Sequence, residues 1–263
     1  MKFSLNFVWI NAVKHVANDS AALSCPIPQI YQENVARISS ENPDIPITIW
    51  MDLYGPGKNT TALIEGAGKA SNIPDITFRS LDEVASFTTN PLFRKHPVDL
   101  DRPYDPLWQQ TDLARLIVID KIIASGEFDA ALYSDFSREI TPEILKTAER
   151  KLKKYGVVVG DGRAYEDPTL LSFLGQDYSD GHRVENQFFG FRQNQLSFFR
   201  EGVVFFSSRS IATGANGWEG FSDAFNRYGL EAHGLSLNDI AMTVPRSPNA
   251  RSAKAFYSDP KRS

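Results

Sequence analysis

The hydrophobic pattern of the chain changes period several times, and each change predicts an element. From Phe3 to Ile10, Phe3, Leu5, Phe7 and Trp9 fall on one face and Ser4, Asn6, Val8 and Ile10 on the other. This predicts an interior strand with at least one fully buried side. From Pro26 to Ser40, Ile27, Ile30, Tyr31, Val35 and Ile38 recur at helical offsets, and Asn42-Pro43 stops the helix. Ile45 to Met51 reads as a second apolar strand ending at Asp52, and Ile76-Thr77-Phe78 as a short third. Phe87 to Pro106 carries Pro91, Pro97, Pro103 and Pro106 and reads as an ordered connector or a small insertion. Leu113, Leu116, Ile117, Ile119, Ile122 and Ile123 then mark a helix that Thr111 and Asp112 can cap and Gly126 ends. Phe128 to Tyr133 is short, apolar and aromatic, as a central strand is, and it delivers Ser134, Asp135, Phe136 and Ser137 at its carboxyl end. Thr141-Pro142-Glu143 opens a charged helix that runs through Lys154. Val157 to Val159 and Val184 to Phe191 read as further strands, and Gln195 to Phe199 as the start of a helix. Strands alternating with helices predict a three-layer α/β fold, and in open sheets of that class ligands sit beyond the carboxyl ends of the strands.

Composition narrows the function classes. A chain of 263 residues, 42% hydrophobic, can bury a sizeable core as one large domain. We assign that domain to residues 1–245. Residues 246–263 read as a basic, mobile tail, since Arg246, Arg251, Lys254, Lys261 and Arg262 face a single acid, Asp259. The formal charge of −4 argues against a broad nucleic-acid surface, which shows a basic excess. Lys146, Arg150, Lys151, Lys153 and Lys154 read as the solvated face of one helix rather than a basic patch. Cys25 is the single cysteine, so no intrachain disulfide forms; it reads as packing rather than as a nucleophile. No apolar run approaches the roughly 20 residues that span a bilayer, so no integral membrane segment is expected. The N-terminus lacks a signal-peptide cleavage pattern. The expected location is the cytoplasm, or a host cell reached as a secreted effector.

Phosphate-binding loops are not evident. No strand with the right following glycine or lysine precedes Gly55-Pro56-Gly57 or Gly66-Ala67-Gly68, and Gly160-Asp161-Gly162, which ends a strand, is a turn without phosphate-loop context. His96 has no partner at metal-ligand spacing. The informative chemistry is at Asp112, Arg115 and Asp135. Asp112 and Arg115 are three apart on one helix face, as in an ordinary surface ion pair or a ligand site. A helix, a turn and a strand separate Asp112 from Asp135 by 23 residues, which suffices to bring both acids to one cleft. Trp9 at a strand end serves either as core or as a stacking platform.

At these residues the chain resembles the DXD-type nucleotide-sugar glycosyltransferases, especially the large clostridial toxin glucosyltransferase domains and related effector glycosyltransferases. Thr111-Asp112-Leu113-Ala114-Arg115 is similar to their S-D-x-x-R helix. Tyr133-Ser134-Asp135-Phe136-Ser137 is similar to their Y-x-D-x-D strand end, with Ser137 in place of the second acid. Asn6-Phe7-Val8-Trp9-Ile10-Asn11 resembles their H-F-V-W-I-G opening, and Asn42-Pro43-Asp44 and Trp50-Met51-Asp52 their N-P-D and W-x-D. Asn186-Gln187-Phe188-Phe189-Gly190 resembles their N-x-F-x-G strand, and Ala212 to Gly217 the A-T-G-P-G turn before a helix at Phe221 to Tyr228.

The resemblance implies an α/β fold of the glycosyltransferase-A type with a mainly parallel sheet. It implies a UDP-sugar donor, with glucose or N-acetylglucosamine as the sugar, a protein or saccharide acceptor, and retention of anomeric configuration. It implies nucleotide contacts from Val8, Trp9 and Asn11 on the first strand, where Trp9 stacks on uracil, and from Tyr133, Ser134 and Asp135 on the later one. Asp112, Arg115, Asp135 and Asn186 are the implied catalytic set. Asp112 would accept from sugar hydroxyls, Arg115 would hold sugar or phosphate oxygens, and Asn186 would line the sugar pocket unless it caps a turn. Asp52 lies near the ribose or caps a turn. Mn²⁺ or Mg²⁺ is implied at Asp135 and Ser137; serine is a weaker, neutral ligand. Direct or water-mediated binding by Ser137, substitution by Glu139 or a tail residue, and a metal-independent or silent protein all follow as alternatives. His233 and Ser236 to Asp239 are the C-terminal candidates for the loop that closes over the diphosphate.

Overall fold

The computed structural model describes residues 1–11, 27–71, 73–94, 104–161, 184–200 and 234–248. In chain order the elements are β1 (Phe3–Ile10), α1 (Gln29–Glu41), β2 (Ile47–Asp52), α2 (Thr61–Ser71) and β3 (Ile76–Ser80). Next come α3 (Ala85–Thr89), α4 (Pro91–Arg94), α5 (Tyr104–Ser125), β4 (Ala130–Ser134), α6 (Pro142–Tyr155), β5 (Val157–Asp161) and β6 (Val184–Arg192). A short helical turn, Leu237–Ile240, precedes β7 (Ala241–Met242). Cys25, His96, the Ala212 to Gly217 turn, the Phe221 to Tyr228 helix, His233 and residues 249–263 lie outside the described residues.

Among the described residues the strands form one sheet in the order β3-β2-β1-β4-β6-β5-β7. β1 pairs in parallel with β2 on one side and β4 on the other, an interior position buried on both faces, with Ser4 and Asn6 as hydrogen-bonded polar residues among its apolar ones. β6 is antiparallel to β4 and β5, while β7 runs parallel to β5. The architecture is the mixed α/β, mainly parallel one that the resemblance implied. Two hydrophobic cores lie on the two faces of the sheet. One contains Val8, Leu113, Leu116, Ile119, Tyr133 and Phe189, with α5 as its main helix. The other contains Phe7, Val35, Ile38, Ile64, Leu145 and Leu152, contributed by β1, α1, α2 and α6. These are the three layers. No helix among the described residues is long and apolar enough to cross a membrane.

Several boundaries differ from the sequence reading for identifiable reasons. Thr111 and Asp112 do not cap α5; the helix begins upstream at Tyr104, and Pro106 sits in its first turn, where a missing N–H costs no helical bond. The stretch read as a connector thus holds α3, α4 and the start of α5. Gly66 and Gly68, for which the sequence offered no element, lie inside α2. The side chain of Phe78 leaves no room for a Cβ at Gly68, so the glycine permits a close helix–strand approach. The α6 boundaries follow the chain's own signals: the Thr141 hydroxyl accepts from Ile144 N–H at 3.3 Å, and Gly156 takes a left-handed conformation at φ 77°.

Candidate active site

The carboxyl end of β4 is pinned by three elements, β6, α1 and the C-terminal segment. Asp135 N–H donates to the Gln187 carbonyl at 2.9 Å, extending the ladder to β6, and Arg138 N–H then donates back to Asp135 O at 3.0 Å. From α1, the Asn34 amide donates to the carbonyls of Phe136 and Arg138, both at 2.8 Å. From the C-terminal side, Ser247 N–H donates to Ser137 O at 2.8 Å, Glu139 N–H donates to Pro245 O at 2.9 Å, and Arg138 and Arg246 form an antiparallel bridge. Arg138 is buried beneath this junction and donates to the Val244 carbonyl and the Gln187 side chain. The turn that carries Asp135, Phe136 and Ser137 is therefore held before any ligand arrives.

Behind Asp135 lies a buried ionic network. Arg115, 3% exposed, places one guanidinium nitrogen 3.0 Å from Asp112 Oδ1 and another 3.5 Å from Asp135 Oδ1. That second nitrogen also donates to Asn186 O at 2.8 Å and Asn186 Oδ1 at 3.1 Å. The Asn186 amide donates to Asp112 Oδ1 at 3.0 Å. The guanidinium carbon lies 4.9 Å from the ring centroid of Tyr133, whose hydroxyl donates to Asp135 Oδ1 at 2.6 Å. Burial raises the pKa of Asp112 to about 6; Arg115 and Asn186 pull it down and Asp135 pushes it up. Burial also raises the Tyr133 phenol well above its usual value, opposed by Arg115 and reinforced by Asp135, so Tyr133 stays a donor.

In front, Trp9, Tyr31 and Phe136 form an aromatic wall. Trp9 meets Phe136 edge-on with centroids 5.8 Å apart and Tyr31 at 6.5 Å, and Phe136 packs on Phe7 at 5.0 Å. Trp9 is half-buried, and its indole N–H is shielded from solvent with no hydrogen-bond partner among the described residues. Between the aromatic and ionic walls lies a cleft of about 130 Å³, lined by Trp9, Tyr31, Arg115, Tyr133, Asp135 and Ser137 among others. That volume accepts one ring rather than a whole nucleotide sugar, given that drug-sized ligands occupy roughly 300–1,000 Å³.

The residues singled out in the sequence fall into distinct places. Val8, Trp9, Tyr133, Asp135, Arg115 and Ser137 converge on the cleft. Asp112 and Asn186 stand behind it with their polar atoms turned to Arg115 and to each other. Ser134 is fully buried and its hydroxyl donates to Asp135 O at 3.1 Å. Asn11 follows β1, and its N–H donates to Asp52 O at 2.9 Å. Asp52 takes the turn-capping alternative: its Oδ1 accepts from Gly55 N–H at 2.7 Å and from the Asn59 amide at 2.8 Å. Sequence reasoning did not single out Asn34, Tyr31, Phe136 or Arg138. The available signal was Asn34, a polar residue on the helix face shared by Tyr31, Val35 and Ile38.

A divalent ion at Asp135 and Ser137 fits this donor set poorly. Mg²⁺ and Mn²⁺ take oxygen ligands, anionic ones foremost. Here one carboxylate oxygen of Asp135 already serves Tyr133 and a guanidinium, Ser137 is neutral, and no group of three or more His, Cys, Asp or Glu side chains converges among the described residues.

No family model matches the chain, and no curated protein matches it. Several solved structures are similar to it in three dimensions. One is the PaToxG glycosyltransferase, 12% identical with a TM-score of 0.49, the match covering 89% of this chain and 72% of that one. Mouse xyloside xylosyltransferase 1 in its apo form is 11% identical with a TM-score of 0.48, covering 92% and 85%. The bacterial N-acetylglucosamine transferase NleB is 13% identical with a TM-score of 0.45, covering 93% of each chain. The reading of the site rests on its own geometry.

Proposed function

We propose that this chain is a glycosyltransferase that binds a UDP-sugar at the carboxyl ends of β1 and β4. It moves the sugar, glucose or N-acetylglucosamine, to a hydroxyl of a protein or saccharide with retention of configuration. The observation that carries the reading is the meeting of Trp9 with Asp135 and Arg115 in one cleft at the strand ends, from segments more than a hundred residues apart. A half-buried indole offers a stacking surface to a base. Asp135, with Oδ1 fixed by Tyr133 and Arg115, keeps Oδ2 without a partner among the described residues, able to accept from a sugar hydroxyl.

In the transfer, the anomeric carbon–oxygen bond breaks and its electron pair leaves on the diphosphate. The acceptor oxygen forms the new bond and gives up its proton to solvent. Arg115 acts by holding Asp135, and Asp112 and Asn186 act by holding Arg115. That chain of contacts makes Asp135 a preorganised acceptor, which lowers the reorganisation needed in the transition state.

A second reading, a silent nucleotide-sugar-binding module on the same fold, is favoured by Ser137 in place of an acid. Melting the wild type and Asp135→Ala with UDP, UDP-glucose and UDP-N-acetylglucosamine tests binding. A ligand at about 100 times its Kd adds roughly 2.7 kcal/mol of stability. A shift with the UDP-sugars, reduced in Asp135→Ala and accompanied by release of UDP, supports the enzyme. A shift without UDP release supports the module, and no shift with any UDP compound removes both.

A further inference from the structure

A diphosphate is a multiply charged anion, and the charges already present at this mouth do not favour it. Arg115 is buried and shared between Asp112 and Asp135, so the ionic wall carries two carboxylates against one guanidinium. Asp135 and Ser137 make a poor seat for a divalent ion, as shown above. A counter-charge must come from another element.

The C-terminal segment provides one. Its hydrogen bonds from Ser247 to Ser137 and to Pro245 from Glu139 lay the backbone of Arg246 directly along the turn that follows Asp135. Arg246 is exposed and makes no ion pair among the described residues, whereas its bridge partner Arg138 is buried and donates to Val244 and Gln187. Tyr31, which lines the cleft, has its phenol pushed up first by burial and then by Asp135, and pulled down by Arg246. The ring therefore lies within the field of both charges.

We propose that Arg246 is the diphosphate-binding cation of this site and performs, without a metal, the charge neutralisation that a second acid and its divalent ion would otherwise provide. The proposal rests on the nucleotide-sugar reading above. A planar guanidinium suits the task because it presents paired donors to phosphate oxygens.

Calorimetric titration of wild type, Arg246→Gln and Arg246→Lys with UDP and with uridine, each in EDTA and in Mn²⁺, tests it. The expected result is that wild type binds UDP equally well in EDTA and in Mn²⁺. Arg246→Gln should weaken UDP by about tenfold or more while leaving uridine unchanged, and Arg246→Lys should recover part of the loss. The melting temperature of Arg246→Gln should match wild type, separating lost binding from lost structure. UDP binding that requires Mn²⁺, or Arg246→Gln binding UDP like wild type, overturns the proposal while leaving the nucleotide-sugar reading intact. Failure of wild type to bind uridine or UDP under either condition overturns both.

Discussion

On one side of the cleft, Trp9, Tyr31 and Phe136 meet through ring edges and faces, with no ion pair among them. On the other side, Asp112, Arg115 and Asn186 are buried and share a handful of charge-assisted hydrogen bonds that reach the partly exposed Asp135. Rings packed this way lose a fraction of their contacts when one is trimmed. An ionic network loses its compensation all at once, because removing one partner leaves the others desolvated. The aromatic wall should therefore tolerate substitution in stability while changing affinity, and the ionic wall should respond in stability before affinity can be measured.

The largest expected effect is on the ionic side. Arg115→Met should cost about 3–5 kcal/mol at pH 7 by leaving Asp112 buried without its cation, and less at pH 5, where Asp112 protonates. Urea denaturation at the two pH values measures both quantities; equal losses would show that packing rather than charge is at stake. Next, Asp112 should leave a signature in wild type. Its folded pKa of about 6 lies above the usual carboxylate value, so the folded state binds more protons between the two. Its contribution is therefore most favourable below about pH 4 and falls by about 1.4 kcal/mol per pH unit up to about pH 6. Asp112→Asn should flatten that part of the stability profile relative to wild type.

On the aromatic side the effects are smaller and differently placed. Trp9→Ala should weaken UDP by roughly 1–3 kcal/mol, the value of stacking one base on an aromatic ring, with a KM or Kd readout. Phe136→Leu should cost roughly 0.5–1.5 kcal/mol beyond its lost area and leave UDP binding near wild type, since the ring supports Trp9 edge-on rather than facing a base. An affinity loss in Phe136→Leu as large as that in Trp9→Ala would place the base elsewhere.

The sequence named the ionic wall more completely than the aromatic one: Asp112, Arg115, Asp135 and Asn186 were all singled out, whereas Tyr31 and Phe136 were not. β1 and β4 are interior strands, mostly apolar and buried on both faces, and a period-2 or continuous run marks them without help from the rest of the chain. Trp9 and Asp135 at their ends were then readable as a pair. Asp112 was named for the site through the resemblance, but its place stayed ambiguous, because a threonine and an aspartate before an apolar helix also look like a cap. The burial that turns Asp112 toward Arg115 and Asn186 depends on β6 lying beside β4, which no local pattern encodes. Gly190 illustrates the same limit. It stands in a motif-like segment, yet a Cβ there would collide with the Leu132 side chain and crowd the Ala131 carbonyl, so packing between β6 and β4 already requires the glycine. Arg246 reads as the first residue of a basic tail by composition; a bridge to Arg138, formed across the fold, places it beside the Asp135 turn.

The central claim is that this cleft breaks a bond between a sugar and a diphosphate. The most direct measurement is release of UDP from UDP-glucose and UDP-N-acetylglucosamine, by transfer or slow hydrolysis, comparing wild type with Asp135→Ala after confirming that both are folded. The account predicts release by wild type with at least one of the two donors and a loss of about a hundredfold or more in the variant. Equal release by both proteins, or none by a wild type that binds UDP, would contradict it.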